Sequence, residues 1–146
     1  MDVPGLTNYL VQNDSATNGM VAIQKYLQDD VMVYGSYTTA SKGAGVNGGT
    51  DPVPYDQEDT AVLDFGLKAK LLDGAMLLNM NVFQNDNSGM LLATIRNTEA
   101  FNINVDAEVK GFEGLMKVFL SDTTSIDLSW LFAVSYTHLR AHETKA

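Results

Sequence analysis

Apolar and polar residues alternate with a period of two along most of this chain, the pattern of strands that carry one apolar and one polar face. Helical periodicity is weak throughout. From Thr60 to Leu71 the odd positions are Ala61, Leu63, Phe65, Leu67, Ala69 and Leu71, while Asp64, Gly66, Lys68 and Lys70 fill most of the even ones. This predicts a strand. Asp73-Gly74 behind it predicts a tight hairpin turn, because glycine adopts the positive φ that such turns require.

The next run, Ala75 to Phe83, puts Met76, Leu78, Met80 and Val82 on one side and Asn79 and Asn81 on the other. It is expected to continue past Gln84, with Asn85 to Gly89 forming either a bulge or a local turn before Met90 to Ile95 resumes. A long returning strand is predicted from about Phe101 to Leu120. Its apolar positions change parity beyond Gly111, from Ile103, Val105, Ala107 and Val109 to Phe112, Met116, Val118 and Leu120, which predicts a bulge near Lys110 to Phe112. After a turn at Ser121 to Thr124, Ile126, Leu128, Trp130 and Phe132 alternate with Ser125, Asp127 and Ser129. Upstream, Met20 to Leu27 and Val31 to Thr39 predict a hairpin around Gln28-Asp29-Asp30. The Gly-rich, Pro-containing stretch between Ala40 and Thr60 predicts a long loop. The sum is all-β: about six antiparallel strands joined alternately by short turns and longer connections, the asymmetry of an outer-membrane barrel.

Composition narrows the function. Cysteine is absent, which excludes disulfides, thiolate metal sites and a cysteine nucleophile. Nine basic residues against eighteen acidic ones give a net charge of -9, which repels a phosphate backbone, so no nucleic-acid partner is expected. The first twenty residues do not read as a secretory signal, and no run is apolar enough for a transmembrane helix, but membrane barrels hide their strands in alternation.

Val134 to Thr144 reads VSYTHLRAHET and resembles the in-frame translation of a transposase sequencing adapter. Residues 1–133 are therefore expected to be the native part and 134–146 a non-native, adapter-derived tail. Both histidines, His138 and His142, lie in that tail. The rest holds seven basic and seventeen acidic residues, once Arg140, Lys145 and Glu143 are set aside with the tail.

Several motifs carry less than they spell. Gly43 to Gly48 reads GxGxxG, but Pro52 and Pro54 follow where a pyrophosphate-binding helix must begin, so a loop is expected. Asn85-Asp86-Asn87 lacks the glycine step and closing glutamate of a calcium loop. Asp51, Asp56, Glu58 and Asp59 form an acidic cluster expected to be a solvated loop. Serine hydrolysis needs a base beside its nucleophile, and no histidine precedes the tail. No catalytic, cofactor-binding or metal-binding residue is assigned, and no enzyme is expected. Tyr34, Tyr37, Trp130 and Phe132 suit an interfacial girdle or the packing of a soluble sheet, and alternation alone does not separate the two.

Three segments resemble the C-terminal half of the barrel in TonB-dependent receptors. VYGSYTTASKGAGVN, Val33 to Asn47, is similar to a strand ending in "SY" before a Lys- and Gly-rich extracellular loop. Tyr55 to Phe83 resembles the acidic-plus-Thr entry, the "E-x-G-x-K" strand, the short periplasmic turn and the rising strand, with Asp64 where the family usually has Glu. Asn97 to Lys117 is similar to the descending strand with its Gly-x-Glu, here Gly111 and Glu113. The plug, the TonB-contacting box, the early strands and the aromatic-ending final strand are not seen. The likeness implies about a quarter of a 22-stranded barrel, an open curved sheet on its own.

What that resemblance implies is a Gram-negative outer-membrane transporter. Its partners would be outer-membrane lipid, a small-molecule nutrient and, through the missing plug, the TonB system. Siderophores, cobalamin and sugars all fit such barrels, with an iron-siderophore as the default. By alternation Asn79, Asn81, Glu113 and Lys117 are expected to face the lumen. The alternative is a soluble or surface all-β binding module whose apolar faces form a sandwich core.

Overall fold

A computed structural model of the chain describes residues 15–48, 53–96 and 99–139. Six strands form one antiparallel sheet in the order β1 (Gly19–Gln28), β2 (Val31–Lys42), β5 (Glu58–Leu71), β6 (Met76–Arg96), β7 (Glu99–Ser121) and β8 (Thr124–Leu139). A two-residue ladder, β3 (Gly45–Val46) with β4 (Pro54–Tyr55), lies within the β2–β5 connection, where the sequence predicts only loop. The sheet is open, since β1 and β8 are its two edges and do not pair with each other. Among the described residues no helix is long and apolar enough to cross a membrane.

The connections at one end are short. Asp29 and Asp30 join β1 to β2, a 3-10 turn at Leu72–Gly74 joins β5 to β6, and Asp122 and Thr123 join β7 to β8. Leu72 and Asp73 both sit at φ 53° and Gly74 at φ 92°, so the turn places its glycine where the backbone is left-handed. The β2–β5 connection at the other end is long. β6 and β7 run on past their neighbours there, and β6 accommodates the extra length with a register shift between Asn87 and Met90, where Gly89 has φ 71°. Of the two readings open for Asn85 to Gly89, the bulge within one continuous strand is the one observed.

The bulge expected near Lys110 to Phe112 is absent. Lys110, Gly111 and Phe112 pair in unbroken register with Gln84, Phe83 and Val82 on one side and with Val134, Ala133 and Phe132 on the other. The strand does not slip. What changes near Gly111 is the surroundings of each face, and the polarity changes with them. Gly111 itself serves close approach, because a Cβ there would meet the Phe132 carbonyl at 2.5 Å and the Phe83 ring at 2.8 Å.

Aromatic and glycine residues fix the register. Tyr34 pairs with Gly66 and Gly35 with Phe65, so two adjacent pairs each set a ring over a glycine, on opposite faces. Trp130 likewise covers Gly114. Phe112 and Phe132 stack at 5.7 Å between ring centroids. Such cross-strand pairs are the unit of sheet stabilisation, and each contributes roughly 0.2–1 kcal/mol. A shift by one residue would break all of them at once. β8 continues through Ala133 to Leu139, with Val134 opposite Lys110 and Leu139 opposite Val105.

Candidate functional site

The register sorts the side chains into two unlike faces. On the first, four successive rows run across the sheet: Leu71, Met76, Val118 and Ile126; then Val31, Ala69, Leu78, Met116 and Leu128; then Lys25, Val33, Leu67, Met80, Gly114 and Trp130; then Ile23, Gly35, Phe65, Val82, Phe112 and Phe132. Lys25 is the one charged group among them. On β5 the apolar run extends further, through Leu63 to Ala61. From Ala61 to Leu71 ten rises of about 3.3 Å give roughly 33 Å, and a tilt of about 40° reduces this to roughly 25 Å, the height of the apolar band on a membrane barrel. Little of this surface is covered by protein, and Ile23, Phe65, Val82 and Phe132 are all more than half exposed. The described chain has almost no buried core: Ala69, Val105 and Ala107 are its buried hydrophobic residues, and of these Val105 is the most completely enclosed. A soluble sandwich would hide these rows, and this sheet presents them.

Above the band the same face turns polar. The Gln84 amide donates to Asp86 at 3.0 Å and to Glu108 at 2.9 Å, and Lys110 pairs with Glu108 at 2.6 Å. The sequence showed this only as the change of parity on β7.

The second face carries the four residues expected to point inward. Asn79, Asn81, Glu113 and Lys117 share it, with Asn81 directly opposite Glu113, Asn79 opposite Leu115 and Lys117 opposite Leu77. Around them, the Asn81 amide donates to Asp64 at 3.4 Å, Lys117 pairs with Asp127 at 3.3 Å, and the Lys68 ammonium lies 5.5 Å from the centre of the Tyr34 ring. One side-chain oxygen each of Asp64, Asn79 and Asn85 is shielded from solvent without a hydrogen-bond partner. All three are on this face. Of the four aromatics suited to a girdle or to sheet packing, Tyr37, Trp130 and Phe132 are on the apolar face, whereas Tyr34 belongs to the polar one.

The long connection is pinned across the top of β7. The Asn47 side chain, 3% exposed, donates to the Asn102 carbonyl at 2.9 Å and accepts the Asn102 N–H at 2.7 Å, taking the place of a neighbouring strand. Asn104 does the same for Asp56, accepting its N–H at 2.7 Å and donating to its carbonyl at 3.0 Å, and donates also to the Gly89 carbonyl at 2.6 Å. Periodicity carries no signal of these pairs, which are 55 and 48 residues apart.

The remaining motifs disperse. Gly45 and Val46 are strand, paired with Tyr55 and Pro54, so the GxGxxG run opens no helix. Asn85 and Asn87 lie on the face opposite Asp86 and cannot converge on one cation. Of the acidic cluster, Asp51 lies outside the described residues, Glu58 accepts the Leu91 N–H at 3.3 Å, and Asp59 accepts the Gln57 amide at 2.6 Å. His138 lies on β8 opposite Asp106, and His142 is outside the described residues. Among the described residues no group of three His, Cys, Asp or Glu is placed to hold a metal.

An open antiparallel sheet with a band of exposed apolar rows on one face, a polar opposite face and one set of short turns is a section of the wall of a membrane β-barrel. The profile of the family described as "TonB dependent receptor-like, beta-barrel" matches residues 2–146, and the chain belongs to that family, whose place is the outer membrane. Among solved structures it is similar to the alcaligin outer-membrane receptor FauA from Bordetella pertussis, with a TM-score of 0.59 at 15% identity, over 81% of this chain and 22% of that one. The likeness is one of fold. No curated protein matches the chain.

Proposed function

We propose that this chain is part of the wall of an outer-membrane receptor that takes up a scarce nutrient with energy delivered through TonB. The band of exposed apolar rows, backed by a polar face, carries the reading. Backbone groups in hydrocarbon must all be paired, and strands achieve this only in a closed cylinder, so the two open edges of this sheet call for further strands. Family membership supports the receptor role, and the FauA fold supports a ligand delivered from outside. An iron-siderophore is the substrate class we favour, bound by loops at the long-connection end. Asn79, Asn81, Glu113 and Lys117 then line the lumen, where the unpartnered oxygens of Asp64 and Asn79 would meet water or a plug. We also propose that residues 134–146 are adapter-derived, although the family match runs over them and β8 continues to Leu139; only Val134 to Thr137 alternate there. The contiguous reading frame of the source DNA tests that.

The wall assignment is tested by single cysteines at Asn79 and Leu78 in the full-length receptor, treated with an impermeant aqueous thiol reagent in lipid vesicles. Asn79→Cys should react readily and Leu78→Cys should resist. Equal labelling sinks the assignment. Uptake of ferric siderophore that continues unchanged when TonB is deleted would refute the energy coupling.

A further inference from the structure

The charge at Lys25 is out of place. It sits on the apolar face three residues before the end of β1 at the short Asp29-Asp30 turn, level with Val33, Leu67, Met80 and Trp130. Among the described residues no carboxylate pairs with it. A lysine directed into hydrocarbon is costly, and it avoids that cost by extending its stem toward the interface so that the ammonium meets polar headgroups. In the row nearer the turn the β1 member is the polar Gln28, opposite Val31, so Lys25 marks the lower edge of the apolar band on β1, at the short-turn end.

Beside Lys25 the apolar face is hollow. An open depression of about 660 Å³ is lined by Lys25 at one end and by Ile23, Val33, Phe65, Val82 and Phe112. The Phe65 ring leans over Gly35, 2.9 Å from where a Cβ would stand, and forms part of the depression's wall. Lipid tails must fill such a dent, since water there would face almost nothing but carbon.

We propose that Lys25 and this hollow form a binding site for an anionic phospholipid of the leaflet at the short-turn end, with the phosphate held by the Lys25 ammonium and one acyl chain in the depression between Val33, Phe65 and Val82. The charge complementarity is specific. Lys25 is the sole ionic group in the four apolar rows, and the depression opens beside it. The proposal rests on the membrane-wall reading.

The test is native mass spectrometry of the full-length receptor in detergent with equal amounts of phosphatidylglycerol and phosphatidylcholine. Retained phosphatidylglycerol should exceed phosphatidylcholine by about fivefold, the ratio expected from one lysine near an anionic headgroup. Lys25→Gln should bring the two to parity and Lys25→Arg should keep the preference. Val82→Trp, which fills the hollow from an exposed position, should lower retention of both lipids. Equal retention by the unaltered receptor, an undiminished preference in Lys25→Gln, or displacement of phosphatidylglycerol by equimolar lipid A would each overturn the site. Heat-modifiable migration separates the two levels of the argument: a heat-modifiable receptor without lipid preference fails the lipid site alone, whereas a receptor that is not heat-modifiable fails the wall reading with it.

Discussion

Glycines opposite aromatic rings are the residues on which the alignment of the strands depends. Trp130 covers Gly114, and a side chain added there would collide with the edge of the indole that carries Nε1 and Cζ2. Gly114→Val should therefore destabilise the sheet by about 1–3 kcal/mol, the usual cost of overpacking, read as a lower temperature for the loss of heat-modifiable migration. The side-chain amide of Asn47 is the second such dependence. Asn47→Ala leaves the N–H and carbonyl of Asn102 without partners and should cost about 1–3 kcal/mol, with faster proteolysis of the β2–β5 connection as the direct readout. The two kinds of residue differ in how far the chain announces them. Gly114 interrupts the series Phe112, Met116, Val118 whereas Gly66 passes as one of the polar positions, and the rings over both are identified once the register is known. Nothing near Asn47 points to Asn102, because a side chain that imitates a strand leaves no periodic trace.

At the level of elements, the strands and their short turns were legible because each needs only local information: alternation for the strand, a left-handed residue for the turn. The bulge at Gly89 was one of two readings open to the sequence, and its geometry explains why glycine is required. With φ 71° and a Cβ position 2.6 Å from the Gln57 carbonyl, Gly89→Val should disrupt the upper β6–β7 ladder and expose Leu91 and Asn104 amides to hydrogen exchange, while amides of Leu77 to Val82 stay protected. The expected slip at Gly111 failed for a physical reason. A change in which parity is apolar has two causes, a shift of register or a change of solvent along an unshifted strand, and alternation is blind to the difference. Between Glu108 and Phe112 the first face passes from polar to apolar side chains on an unshifted strand, as Gln84, Asp86 and Lys110 mark beside it. Candidate lumen residues below that point kept their predicted grouping because no slip lies among them.

For the whole molecule, six strands with two bare edges have nearly every large apolar side chain in contact with whatever surrounds them. The segment expressed alone should aggregate in water and remain dispersed only with detergent, whereas the full-length receptor should migrate differently on gels before and after boiling; sedimentation of the isolated segment as a soluble monomer would contradict this. The lengths of β6 and β7 have a further consequence. With 21 and 23 residues they reach roughly 70 Å along the strand and, at a tilt of about 40°, roughly 50 Å in height, about twice the apolar band. Beyond Ser88 and Val105, where β5 and β8 stop, they run on as a two-stranded ladder, with the β2–β5 connection held against β7 by Asn47 and Asn104. Cutting this ladder should therefore leave the pairing of the apolar rows, which end at Val82 and Phe112, undisturbed.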